Sequence, residues 1–165
     1  MGIQENDTTR ANLRNMIYWK DVPYGNGGSV VAIARDKSGK EVARHRIETA
    51  GKAVALRIEA ETPTDWKADG MDLQYINVTV IDKKGRPVWD YNEPLTLQME
   101  GAARLVALDN GDHYTDELFH GITSKRMYQG RMQIILRSDQ EAGNVTVKIS
   151  SAGLKGTLRL KTIKE

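Results

Sequence analysis

The sequence lacks several features that would define its class at once. It has no cysteine in 165 residues, which excludes a disulfide framework and a thiolate metal site. No apolar run approaches the roughly 20 residues that a membrane-spanning helix requires, and residues 1–7 have neither the basic nor the apolar region of a signal peptide. An excess of one charge is also missing, because 24 Lys and Arg are interspersed with 22 Asp and Glu. This balance predicts neither a nucleic-acid nor a membrane partner.

The residues that are present describe a folded globular chain. Hydrophobic residues make up 39% and charged residues 28%, proportions that a disordered chain does not have. The length is sufficient for one ordinary domain or two small β modules. Because the apolar residues follow the period of β-strands almost throughout, we expect an all-β fold.

The first part of the chain predicts a short antiparallel meander. Strands are readable at residues 16–24, 29–35 and 41–47, and residues 49–52 make a short junction. About three strands are fewer than a closed sandwich contains. Their apolar faces and strand edges therefore lack partners, so this segment should dock onto the second module, pair with the same segment of another copy or be poorly ordered. Of these alternatives we favour docking combined with self-association.

The second part has the pattern of an immunoglobulin-like β-sandwich. Short alternating runs are separated by turns rich in Gly, Asp and Asn, which is typical of such sandwiches. Seven strands are readable, at residues 54–60, 76–80, 95–99, 104–108, 132–136, 145–149 and 157–163.

Three short segments carry a family resemblance. They read Ala-Leu-Asp-Asn-Gly-Asp at 107–112, Arg-Met-Tyr-Gln-Gly at 126–130 and Ser-Ser-Ala-Gly-Leu at 150–154. In order and spacing they resemble the C-terminal all-β module of family 2 glycoside hydrolases of the β-galactosidase kind. Residues 52–165 resemble the final immunoglobulin-like module of that family, and residues 1–51 resemble a truncated, C-terminal part of the small β domain that precedes it.

The resemblance implies a non-catalytic accessory region that braces a glycosidase or shapes its substrate cleft. In this family the two catalytic glutamates lie on a (β/α)₈ barrel, N-terminal to these modules. The implied partners are that barrel and the other domains of a bacterial parent enzyme, periplasmic or extracellular, and no cofactor is implied. Two alternatives remain open, which are a carbohydrate-binding module and an adhesin-like cell-surface interaction module.

Residues 92–94 match a catalytic signature, but we do not expect them to be catalytic. Asn92, Glu93 and Pro94 match the Asn-Glu pair that carries the acid/base of such glycosidases. Retaining hydrolysis needs a second carboxylate about 5 Å away, and a barrel needs about 250 residues. Since the tripeptide falls between two predicted strands, we expect Asp90 and Glu93 to be solvated loop carboxylates and assign no catalytic residue.

The histidines do not predict a metal site. His113 and His120 flank an acidic segment, but their spacing lacks the rigid repeat of known metal signatures. The carboxylates that could join them are those of Asp109, Asp112, Asp116 and Glu117. A plain polar loop without a metal is the expected arrangement.

Exposed aromatic rings can stack on sugars, and three aromatic residues are candidates. Trp66, Trp89 and Tyr91 fall in or beside predicted loops, so they could form a carbohydrate-binding platform. Packing inside the protein or against other domains is the alternative.

The segment Asp109, Asn110, Gly111 and Asp112 predicts a structural turn. Asn and Gly tolerate positive φ, and a neighbouring Asp accepts hydrogen bonds from backbone N–H groups. We therefore expect a tight loop at the end of a strand.

Overall fold

The computed structural model describes Ile3, residues 16–20, Val22 and residues 27–164. The chain divides into two compact units, Met1–Thr49 and Ala50–Glu165. Ten strands lie in the described residues, and these residues include no helix, hence none that could cross a bilayer. The predicted all-β class is confirmed.

The first unit contains a β-hairpin. Strands β1 (Ser29–Arg35) and β2 (Glu41–Glu48) pair antiparallel. At the turn between them, Oδ1 of Asp36 accepts hydrogen bonds from the backbone N–H groups of Ser38 (2.8 Å) and Lys40 (3.0 Å). These bonds fix the reversal of the chain.

The strand predicted at residues 16–24 is not formed where the structure describes it. Residues 16–20 and Val22 have no strand conformation, and the other residues of this range lie outside the described part. Branched and aromatic composition predicted the strand, but a strand also needs a hydrogen-bonded neighbour. Within the described residues, the first unit has two strands and not about three.

The second unit is a sandwich of two four-stranded antiparallel sheets. One has the order β3-β4-β8-β6 and the other the order β10-β9-β5-β7. This arrangement matches the two sheets of an immunoglobulin domain, with short β7 added at the edge beside β5. The strands are β3 (Ala53–Ala60), β4 (Leu73–Asp82), β5 (Pro94–Gly101), β6 (Ala103–Asp109), β7 (Ser124–Arg126), β8 (Arg131–Ser138), β9 (Asn144–Ser151) and β10 (Leu154–Lys161).

Alternate residues of the central strands build the core between the sheets. In β4, Ile76, Val78 and Val80 are buried, and the residues between them are only partly covered. The same period-2 alternation in β8 and β9 closes the interior from both sheets. Trp66, which precedes β4, is completely buried in this core.

A buried carboxylate closes the turn after β4. Asp82 accepts hydrogen bonds from the backbone N–H groups of Gly51 (2.8 Å), Lys84 (2.8 Å) and Arg86 (2.9 Å). The guanidinium of Arg86 also donates to this carboxylate, with Nε at 2.8 Å. The Arg86 guanidinium, together with the backbone donors, holds the pKa of Asp82 far below its usual value.

We expect Asp82→Asn to destabilise the second unit at neutral pH and to weaken the loss of stability in acid. The depressed pKa means that Asp82 stabilises the fold above the unfolded pKa of about 3.9, and that this contribution is lost as the pH falls toward the folded-state pKa. Urea denaturation between pH 7 and pH 3 measures both effects.

Asp116→Asn is the matched control. Asp116 is exposed and has no hydrogen-bond partner among the described residues. If both variants lost stability equally, or if Asp82→Asn kept the acid response of the parent chain, the role given to Asp82 would be wrong.

Candidate functional site

Three loops meet at one end of the second unit, which we call the loop end. They are residues 83–93 between β4 and β5, 110–123 between β6 and β7, and 127–130 between β7 and β8. The N–H of Gly130 donates to the carbonyl of Tyr91 (2.7 Å), and the N–H of Met127 donates to that of Glu93 (3.1 Å). These bonds hold the first and third loops together.

The loop of residues 110–123 begins with a series of side-chain turns. Asp109 ends β6 and accepts a hydrogen bond from the N–H of Gly111 (2.8 Å), whose φ is 72°. Asn110 is buried, accepts a bond from the N–H of Asp112 (3.1 Å) and donates to the carbonyl of Arg126 (2.9 Å). Asp112 in turn accepts a bond from the N–H of Tyr114 (3.0 Å). Each polar group at the start of the loop therefore shapes its backbone.

A buried lysine fixes the second half of this loop. Lys125, on β7, is 1% exposed. Its Nζ donates to the carbonyls of Glu117 and Leu118, both at 3.1 Å, and lies 4.1 Å from the ring centroid of Phe119. The carbonyl of Phe119 also accepts a bond from the N–H of Leu108 (2.7 Å). The loop is thus held from inside while its outer side chains face solvent.

Apolar and aromatic side chains are exposed on this fixed loop. Tyr114 is 97% exposed and Leu118 is 62% exposed, and Phe119 is also partly open to solvent. Loops that expose several apolar side chains are one kind of surface through which domains interact.

The proposed sugar-stacking role of Trp66 is wrong. Its ring is 0% exposed, and its Nε1 donates to the carbonyl of Asp72 (3.1 Å). A sugar cannot reach a ring that is enclosed on both faces. Trp66 is a core residue with its one donor satisfied.

The other two predicted aromatic residues lie at the loop end but offer little free ring surface. Trp89 is 48% exposed, and the guanidinium carbon of Arg131 lies 4.3 Å from its ring centroid. Tyr91 packs against the core, and its hydroxyl is hydrogen-bonded to Oγ of Ser151 (2.8 Å). One face of Trp89 is therefore already covered, and Tyr91 serves mainly to join the loop to β9.

The acidic residues of the loop end are not grouped as a metal centre within the described part of the chain. Asp90 and Glu93 are both exposed in the β4–β5 loop. Over the described ranges, no group of three or more His, Cys, Asp or Glu residues is placed to hold a metal ion.

The loop end also contains a polar surface depression of about 520 Å³, formed by all three loops. From the sequence, Asp112 was predicted as a turn residue, and Asp112 and Asp116 were considered as metal ligands. Asn92, Arg126 and Tyr128 were not predicted to bind a ligand. The segment 126–130, which carries part of the family resemblance, is the feature of the sequence that could have pointed to Arg126 and Tyr128. It places both residues beside a tight turn.

Comparisons with known proteins all find glycosidases. Residues 56–158, well over half of the chain, match the family described as Glycoside hydrolase family 2 C-terminal domain 5. The chain is 32% identical over 128 residues to the β-galactosidase BoGH2A of Bacteroides ovatus, a match that covers 78% of this chain and 15% of that protein. It is 31% identical over 111 residues to a β-glucuronidase of Formosa agariphila, covering 66% of this chain and 11% of that protein.

A solved structure matches nearly the whole chain. The crystal structure of a glycosyl hydrolase family 2 member from Bacteroides cellulosilyticus superimposes with a TM-score of 0.85 and 29% sequence identity. The match covers 99% of this chain and 20% of that chain. This chain therefore spans a fifth or less of the length of these relatives.

Proposed function

Because this chain belongs to the glycoside hydrolase family 2 C-terminal domain 5 family, we propose that it is the non-catalytic C-terminal accessory region of a β-galactosidase. Its role is to brace that enzyme and to shape the rim of the substrate cleft. The β-galactosidase relative supports this parent activity, since it matches 78% of the chain against 66% for the β-glucuronidase.

The fixed loop of residues 110–123 is the observation that carries this proposal. Burying the ammonium of Lys125 is costly unless its donors are satisfied, and here they hold the loop backbone in one shape. The result is an exposed surface with Leu118 and Phe119 on it. Apolar side chains that are fixed in this way fit contact with another domain of the enzyme better than contact with water.

The hairpin of the first unit has the features of a part of a larger sheet. A two-stranded hairpin is marginally stable by itself, and β1 and β2 pair only with each other among the described strands. Their exposed residues include Val42 and Ile47. We propose that residues 1–51 belong to a small β domain, whose further strands or a second copy of this segment cover these edges.

The docking role can be tested in the full-length parent enzyme with Leu118→Asp. A charge placed in a domain interface is expected to cost about 2 kcal/mol or more, so the thermal midpoint and kcat/KM for oligosaccharides should fall. Met71→Asp is the control, because Met71 is also highly exposed but lies in the β3–β4 loop.

The 165-residue chain alone supplies the second control. There both variants should unfold at the same urea concentration. The chain should also not hydrolyse an aryl β-galactoside, because its described residues form antiparallel sheets and no barrel whose rim could present a carboxylate pair. Equal effects of the two variants in the full enzyme would contradict docking through the loop. Turnover by the isolated chain that Glu93→Gln abolishes would contradict the accessory role.

A further inference from the structure

The polar depression at the loop end has the volume of a small-molecule site. Its volume of about 520 Å³ lies within the range of roughly 300–1,000 Å³ that ligand sites occupy. Tyr114 and Tyr128 stand on its wall with exposed rings. Neither tyrosine hydroxyl has a hydrogen-bond partner among the described residues.

The depression combines donors and acceptors that are left unused by the fold. The guanidinium of Arg126 and the carboxylate of Asp116 have no partner within the described part of the chain. Asn92 is oriented by its Oδ1, which accepts a hydrogen bond from the N–H of Gln129 (3.0 Å), and this leaves its amide N–H₂ available. Asp112 likewise uses one oxygen for the N–H of Tyr114 and keeps the other. Such a set can bind a ligand that both donates and accepts hydrogen bonds at several points.

The charges of the lining residues limit the class of ligand. The lining includes three carboxylates, those of Asp112, Asp116 and Glu117, and one guanidinium, that of Arg126. The net negative lining repels phosphates and sugar acids. A neutral sugar has hydroxyl groups for the polar side chains and a C–H face that can pack on a tyrosine ring.

The geometry points to a binding site for a neutral saccharide in this depression, with Tyr128 as the stacking residue and Arg126 and Asn92 as hydrogen-bond donors. This inference rests on the proposed function, since the saccharide would be part of the substrate of the parent glycosidase. The site replaces Trp66 and Trp89 as the place where the module contacts sugar. Its position next to Leu118 and Phe119 would let one loop both dock onto the enzyme and hold substrate at the rim of the cleft.

The test is an NMR titration of the full 165-residue chain with lactose and, separately, with D-glucuronic acid. Lactose is expected to shift the amide signals of residues around the depression, and glucuronic acid is expected to bind more weakly. Tyr128→Ala and Arg126→Gln should each weaken lactose binding about tenfold or more, as expected for the loss of a hydrogen bond to a charged group or of ring stacking. Trp89→Ala is the matched control at the same end of the sandwich and should leave the affinity unchanged.

The spectrum of each variant also shows whether it is folded. Because the side chains of Arg126 and Tyr128 are exposed, both variants should keep the parent fold. Lactose shifts that vanish in Trp89→Ala but persist in Tyr128→Ala would overturn the proposal. Preferred binding of glucuronic acid, or no shift with lactose, would also overturn it. Any of these results would leave the docking role untouched, because that role is measured in the full-length enzyme through Leu118.

Discussion

Trp66→Ala is expected to lower the free energy of unfolding of the second unit by about 3–5 kcal/mol, the range for removing a large aromatic side chain from a core. The ring is completely buried, and its Nε1 donates to the carbonyl of Asp72. The substitution therefore leaves a cavity and removes one of the two hydrogen bonds to the carbonyl of Asp72, which keeps the bond from the N–H of Ser138 (3.0 Å). Urea denaturation followed by circular dichroism measures the change.

Two further variants separate the effect of the lost hydrogen bond from the effect of removing a buried ring. Trp66→Phe keeps much of the ring volume but removes the N–H donor, so it should lose clearly less than Trp66→Ala. Trp89→Ala removes the same kind of side chain from a site where the ring is about half exposed, and it should cost much less. If Trp66→Ala were no more harmful than Trp89→Ala, Trp66 would not be a core residue.

Gly130→Ala is expected to produce the second large loss of stability. The φ of Gly130 is 66°, and a Cβ there would overlap the carbonyl oxygen of Val88. The backbone cannot easily move away, because the N–H of Gly130 is bonded to Tyr91 and its carbonyl accepts a bond from Val80. The positive φ costs about 1–3 kcal/mol, and overpacking adds about 1–3 kcal/mol.

Gly111 provides a control that isolates the backbone cost. Its φ of 72° is similar, but a Cβ would meet nothing within 4 Å. Gly111→Ala and Gly111→Val should therefore show the cost of positive φ without the clash, about 1–3 kcal/mol. Equal losses in Gly111→Ala and Gly130→Ala would show that the contact with Val88 does not matter. The same urea series measures all of these variants.

The sandwich could be predicted because its strands alternate strictly. In β4 and β8, every second residue is buried, and this period is visible in the sequence as alternating apolar and polar residues. All seven strands read from the second part of the sequence are present, with ends that differ by a few residues. Strand β7 was missed, because three residues with a buried lysine at the centre do not show an apolar period.

The site could be predicted only in part, since its properties depend on contacts between distant residues. Trp66 and Trp89 both stand near turn residues in the sequence, yet one is enclosed by the core and the other is half exposed. Nothing in the local sequence distinguishes them. The burial of Lys125 depends on carbonyl groups of the preceding loop, and a lysine in isolation predicts a surface position.

The short strand β7 and the loop of residues 110–123 depend on each other, so this edge of the sandwich is expected to unfold cooperatively. Lys125 holds the carbonyls of Glu117 and Leu118, while the carboxylate of Glu117 accepts the N–H of Arg126. Neither segment can leave its place without breaking the bonds that hold the other. Opening of this edge would therefore be a single local unfolding event and not a gradual loosening. A ligand or domain that binds only the assembled edge would therefore stabilise β7 and the loop together.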